Sequence, residues 1–244
     1  PSSSILVAGN YQAFSGATVN HNSGTVEFNG TGNQEVRGGG TSLYNITVDK
    51  AGGGVSIENA LDLISTLNVA SATDVNSNAG NLRLLSTSDA GGADARVAPL
   101  AAGASISGDV KVQRYMSGAG FFNWRYITPT VTGVTVADWQ EHFPISGNFT
   151  GSDPSQTGGA SLFYYDETAA AGTLQDGWTA YPTTDNSAVL TSGLGYAAAM
   201  SEIANPTVIE VEGPVNQGTF NFNVTYTGTG SDVGWNLLGN PYPS

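Results

Sequence analysis

The chain has 244 residues, a formal net charge of −13 from 20 Asp and Glu against 7 Lys and Arg, and no cysteine. That acidity repels phosphate backbones and anionic lipid, so nucleic acid and membrane surfaces are poor partners, and the lack of thiols excludes disulfide frameworks and thiolate metal sites. Charged residues reach only 11% of the chain beside 33 glycines and many Ser, Thr and Asn, the make-up of short strands and tight turns rather than of helix surfaces.

From the start, Pro1-Ser2-Ser3-Ser4 has no basic region of the kind that opens a secretory signal. No run approaches the roughly 20 apolar residues that span a bilayer. An exported protein with this start is expected to be a mature or trimmed form. Thr25-Val-Glu-Phe28 alternates, and Asn29-Gly30 then turns the chain. Leu43, Ile46 and Val48 follow, then a break at Gly52-Gly53-Gly54. Val55 and Ile57, Leu61 and Leu63, Leu67 and Val69, Leu82 and Leu84, Ile106, and Val110 and Val112 continue a series in which apolar residues lie two apart. Residues 61–67 also fit a helical spacing, but their Asn-, Ser- and Thr-rich surroundings predict strand, turn and strand. The intervals are irregular, a degenerate repeat rather than a counted one. Repeated burial of two or three small aliphatics followed by a turn suits a β-solenoid; an antiparallel sandwich gives similar spacing.

A break in composition falls near residue 115. Up to Arg114 the only aromatics are Tyr11, Phe14, Phe28 and Tyr44, and every basic residue except Arg125 has already appeared. All four tryptophans, Trp124, Trp139, Trp178 and Trp235, come later. The expected organisation is therefore all-β: a solenoid-like stacked-strand region over 1–115, joined near Ser117-Gly118-Ala119-Gly120 to an aromatic-rich β-sandwich, jelly-roll-like, over 116–244. Strands are predicted in this second part at 111–116, 123–127, 161–165, 195–200, 207–211, 219–226 and 234–238, the sixth with strict alternation of Phe220, Phe222, Val224 and Tyr226. One short helix is predicted from Val136 to His142, with Thr135 as N-cap and Asp138 in its first turn.

Catalytic patterns fail on inventory. The two histidines, His21 and His142, fall in different predicted domains, and no G-x-S-x-G elbow or phosphate-cradling G-x-x-x-x-G-K occurs. Asp166 and Glu167 are adjacent in an extended stretch, so they point to opposite sides and cannot flank one glycosidic bond; they read as a solvated strand end. Calcium is the one cofactor the acidic loops admit, at Asp153 in Asp153-Pro-Ser-Gln-Thr-Gly158 and at Asp176 before Gly177, although a turn-stabilising Asp explains both equally well. Aromatic rings stack on sugar faces. Trp178, Tyr181 and Tyr165, near loop or strand ends, are the candidate ligand-binding residues, with Trp124, Trp139 and Trp235 expected in the core.

Gly24-Thr-Val-Glu-Phe-Asn-Gly-Thr-Gly-Asn-Gln34, Leu43-Tyr-Asn-Ile-Thr-Val-Asp-Lys50 and Gly52-Gly-Gly-Val-Ser-Ile57 resemble the repetitive regions of large Bacteroidota surface proteins exported by type IX secretion. Trp124-Arg-Tyr-Ile-Thr-Pro129, Val136-Ala-Asp-Trp139, Gly195-Tyr-Ala-Ala-Ala-Met200 and Gly234-Trp-Asn-Leu-Leu-Gly-Asn-Pro-Tyr-Pro-Ser244 are similar to the domain that follows those repeats. The resemblance implies an extracellular or cell-surface, adhesin-like protein without a family active site. Its expected partners are other domains of the same polypeptide, other surface proteins or glycans. It also implies that the second domain continues past this chain's closing motif, leaving an edge near Leu237 for missing residues or a partner.

Overall fold

The computed structural model describes residues 3–89, 94–117, 123–153, 158–169, 173–200, 206–229 and 233–243. In chain order the strands are β1 (Ser4–Val7), β2 (Tyr11–Gln12), β3 (Thr25–Phe28), β4 (Gln34–Val48), β5 (Val55–Val69), β6 (Asp74–Asn76), β7 (Leu82–Leu84), β8 (Arg96–Val97), β9 (Ser105–Ser107), β10 (Val110–Met116), β11 (Asn123–Ile127), β12 (Leu162–Tyr165), β13 (Trp178–Ala180), β14 (Tyr196–Met200) and β15 (Thr207–Gly213). An α-helix, α1 (Val136–Gln140), lies between β11 and β12. Among the described residues no helix is long and apolar enough to cross a membrane.

The chain divides into two packing units. The first comprises Pro1–Met116, Glu210–Gly218 and Tyr242–Ser244, and the second Ser117–Ile209 and Thr219–Pro241. Two segments that the composition break assigned to 116–244 thus return to the first unit; the glycine junction expected at 118–120 lies outside the described residues.

The first unit is a solenoid of parallel strands, as the pairs of small aliphatics predicted. Three ladders run along it. One stacks β1, β3, the ends of β4 and β5, and β8. A second stacks β2, the starts of β4 and β5, β6 and β9. The third stacks the middles of β4 and β5, β7 and β10, and β15 lies along the outer edge of β10. Parallel pairing places like on like, so the core is built of columns. Ile5, Val26, Ile46, Leu67 and Val97 form one. Val36, Ile57 and the pair Val75–Ile106 belong to the second ladder, and Leu43, Leu63, Leu84 and Val112 to the third. The repeat is regular only in part: Ile5, Val26, Ile46 and Leu67 succeed one another at nearly constant spacing, whereas Tyr11 to Val36, Leu84 to Val112 and Val75 to Ile106 are longer steps, as the irregular intervals implied. The step from Leu67 to Val97 is longer too, and the Ser86–Asp94 bridge lies within it. Residues 61–67, which also fit a helical spacing, are strand.

Polar side chains register the coils from outside and at the turns. Arg83 donates two bonds to the Asp62 carboxylate across one rung, at 2.9 and 2.8 Å, and its guanidinium lies 3.9 Å from Glu210 on β15. Lys50 is buried, and its ammonium donates to the carbonyls of Gly30 and Gly32 and to Oε1 of Gln34, at 2.8, 2.9 and 2.6 Å. Gln34 in turn donates to the carbonyls of Val7 and Gly9. Gly53 has φ +69°, and a Cβ there would stand 2.4 Å from the backbone of Gly32, so this turn packs on the previous one only as glycine.

The second unit is built on a four-stranded antiparallel sheet in the order β11-β14-β12-β13. The predicted helix is short. Thr135 and Asp138 make a reciprocal capping box, Thr135 N–H donating to Asp138 at 2.7 Å and Asp138 N–H to Thr135 Oγ1 at 3.3 Å. Trp139 from this helix is buried and meets Tyr196 of β14 edge-on at 5.8 Å, covering the sheet face that also carries Leu162 and Ala198.

Two sequence expectations need correction. Residues 219–226 alternate as a strand does but pair with no strand among the described residues, and Phe222, Val224 and Tyr226 are exposed. Their backbone is met instead by an amide side chain: Asn236 accepts from Thr225 N–H at 3.1 Å and donates to its carbonyl at 2.9 Å. The stretch near Leu237 is not open. Gly195 N–H donates to the Leu237 carbonyl and Gly239 N–H to that of Gly193, at 3.0 and 2.9 Å, around the Leu194–Leu238 bridge.

Candidate ligand-binding site

In an antiparallel sheet, cross-strand partners share a face. The face opposite Trp139 carries Tyr126, Ala197, Phe163 and Ala180 in one row, from Tyr126↔Ala197, Phe163↔Ala197 and Phe163↔Ala180. Trp124 pairs with Ala199, and Tyr165 with Trp178, on the same face. Large rings thus alternate with alanines. The methyls make a low floor and the rings make walls, leaving a groove of about 320 Å³ lined by Trp124, Tyr126, Phe163, Gln175, Trp178 and Ala197.

The walls face each other. Tyr126 and Trp178 are parallel within 9°, with ring centres 6.2 Å apart, and Trp124 meets Phe163 at 5.7 Å. Tyr126 is 66% exposed and Trp124 42%. Trp178 is held from behind by Tyr165, edge-on at 5.3 Å. Gly177 makes that contact possible, since a Cβ there would come within 2.4 Å of the Tyr165 ring. Gln175, in the 3-10 turn Leu174–Gly177, supplies an uncharged amide at the rim. Among the described residues no carboxylate, imidazole, ammonium or guanidinium lines the groove, so its chemistry is apolar stacking edged by the Gln175 amide, the Tyr126 hydroxyl and the indole N–H groups of Trp124 and Trp178.

The three aromatics singled out from the sequence do not converge. Trp178 is a wall of the groove, and Tyr165 is a buried support behind it. Tyr181 follows β13 on the other side, packed against Tyr164 and Tyr196 at 6.1 and 5.5 Å, and its hydroxyl donates to the Val189 carbonyl. Burial raises the pKa of Tyr181 and of Tyr196, so both phenols stay protonated. The expectation that Trp124 and Trp235 are core residues is overturned; Trp235 is 57% exposed, and of these three tryptophans only Trp139 is buried. Trp124 stays open because the strand beside it offers only alanine.

The acidic candidates divide similarly. Asp176 accepts from Thr173 Oγ1 at 2.7 Å within the 3-10 turn, a turn-stabilising role. Asp153 N–H donates to the Ile145 carbonyl, and residues 154–157 of its loop lie outside the described residues. Among the described residues no three His, Asp or Glu side chains gather as ion ligands. Glu167 corrects the expected solvated strand end: it is buried, and its carboxylate accepts from Thr227 N–H, Gly234 N–H and Thr227 Oγ1 at 2.7, 3.0 and 3.0 Å. Those bonds, the Thr227 amide first, lower its pKa. Asp166 does remain at the surface, accepting from Thr168.

No family model, curated protein or solved structure matches the chain.

Proposed function

We propose that this chain is a non-catalytic structural and adhesive module of a larger extracellular bacterial surface protein. The solenoid serves as a spacer, and the aromatic groove of the second unit serves as the contact surface. The groove is the observation that carries the reading: paired, partly exposed rings over an alanine floor offer area for stacking, and among the described residues its lining holds no carboxylate or imidazole. Stacked coils that each bury small aliphatics against the next make a stiff rod with few demands on sequence, which suits a spacer. The extracellular setting rests on the resemblance of the repeat and closing motifs.

The same groove favours a second reading, a carbohydrate-binding module. A pyranose ring presents a flat face of C–H groups to an aromatic wall and hydroxyls to an amide such as that of Gln175. Screening the full chain on a glycan array, together with Trp178→Ala and Tyr126→Ala, tests both. The expected result is binding to a subset of uncharged glycans that each substitution weakens about tenfold or more, the loss of one buried aromatic contact. Binding no greater than background, unchanged by Trp178→Ala, would end the carbohydrate reading. Release of new reducing ends from any bound polysaccharide would end the non-catalytic one.

A further inference from the structure

The two ends of the solenoid are finished differently. At the end formed by the last coil, all three ladders are closed. β15 lies along β10 on the third ladder. The Gln217 side chain closes the second, its amide donating to the Ile106 carbonyl and its oxygen accepting from Ile106 N–H, both at 2.7 Å. The Pro243 carbonyl closes the first by accepting from Val97 N–H at 3.1 Å. A side-chain amide, a returning strand and a backbone carbonyl thus do what capping repeats do in other stacked proteins.

The first coil has no such cover among the described residues. Ile5 occupies the core column above Val26, Ile46 and Leu67, yet it is 61% exposed where those three are 8%, 4% and 0%. Leu6 is 64% exposed at a rung whose later members are Glu27, Thr47 and Asn68, so an apolar residue stands where the other coils put polar ones. Thr25 N–H donates to the Ser3 carbonyl and Asn29 N–H to that of Val7. In a parallel pair, this pattern turns the backbone groups of Ser4 and Leu6 to the open side. Exposed edge strands are normally guarded by charge or proline. The strands β1 and β2 themselves carry neither a charged side chain nor a proline. The edge is also held in place, because Gln34 clamps the carbonyls of Val7 and Gly9.

We propose that the open edge of β1 and β2 docks a further coil of the same repeat, laid parallel, with aliphatic residues over Ile5 and Val7. Continuity selects this occupant: the same coil-on-coil contact recurs through the unit, and the edge presents its unfilled half. A second copy of the chain fits poorly. Its far end is closed, so it cannot stack head to tail, and a two-fold partner offers its own β1 antiparallel. The docked coil must therefore come from a stretch of solenoid whose end is uncapped.

A tandem copy of residues 3–23 inserted before Ser3 in the full chain places a second Ile5 as far ahead of the first as Ile5 stands ahead of its partner Val26. The expected result is a melting temperature higher by about 2–8 °C and hydrogen exchange at the Leu6 amide slowed at least about tenfold. The same insert carrying Ile5→Pro and Val7→Pro in the added copy should produce neither change. An unaltered Leu6 exchange rate with the intact insert would overturn the proposal. So would sedimentation of the unmodified chain as a dimer that Leu6→Lys dissolves, which would assign the edge to a second copy.

Discussion

Glu167 shows how much a single side chain can hold in a loop-rich unit. Its carboxylate takes two backbone N–H groups and one hydroxyl from distant parts of the chain, joining the end of β12 to the backbone around Thr227 and Gly234. Because these bonds favour the ionised form, the folded pKa lies below the ordinary value of about 4.5. A depressed carboxylate pKa contributes stability that is present above the unfolded value and is lost as pH falls through the folded one. Urea midpoints should accordingly show Glu167→Gln less stable than the parent at pH 7, with the gap closing on acidification below about 4.5. A gap of equal size at neutral and at strongly acidic pH would show that the charge of Glu167 contributes nothing. The sequence did not disclose this role. Asp166-Glu167 reads as two surface acids at a strand end, and the groups Glu167 binds come from segments with no pattern of their own.

At the scale of the coil, apolar columns supply burial and polar clamps supply registry. Lys50 is the clearest clamp. Its ammonium binds three oxygens of the preceding coil, while its backbone N–H donates to Ser71 Oγ of the following one at 2.7 Å. Lys50→Met keeps the volume and removes the donors, leaving Gly30, Gly32 and Gln34 oxygens without this partner. The loss should be about 3 kcal/mol, the scale of a charged hydrogen-bond set, read as a lower urea midpoint at unchanged slope. A variant as stable as the parent would mean that water replaces the ammonium at no cost. The alternation of Val26 and Phe28, or of Leu61 and Leu63, was legible because each strand buries one face whatever it stacks on. The period was not. Three short strands per coil break the sequence at unequal intervals, and the long coil that ends in β8 puts Val97 farther from Leu67 than Leu67 is from Ile46. Residues 219–226 mark the opposite failure: alternation gives a strand its face, but pairing needs a free edge beside it, and Asn236 meets this backbone instead.

At the scale of the whole molecule, the composition break near residue 115 invites a division of the chain there, and the packing argues against cutting at that point. The solenoid extends to Met116 but is closed by pieces that arrive only after the last strand of the aromatic sheet: β15, Gln217 and Pro243. The aromatic groove, by contrast, is lined wholly from residues 124–197. A fragment of residues 1–116 would keep every apolar column yet expose β10 along its length, together with the N–H of Val97 and both backbone groups of Ile106. An open parallel edge of that kind recruits other chains, and an uncapped stack loses the contribution of its terminal interface. The fragment should therefore elute as soluble aggregate, or melt below the solenoid transition of the full chain, when compared by size-exclusion chromatography and circular dichroism. Adding back Glu210–Gly218 should reduce that aggregation, because the pieces of β15 and Gln217 that cap two of the ladders reside there and not in the aromatic sheet. A monomeric fragment with an undiminished melting temperature would show that three ladders of stacked aliphatics hold the solenoid without its caps. The open β1 edge at the other end would then need no docked coil for stability, and its uncharged surface would have to be explained by recognition alone.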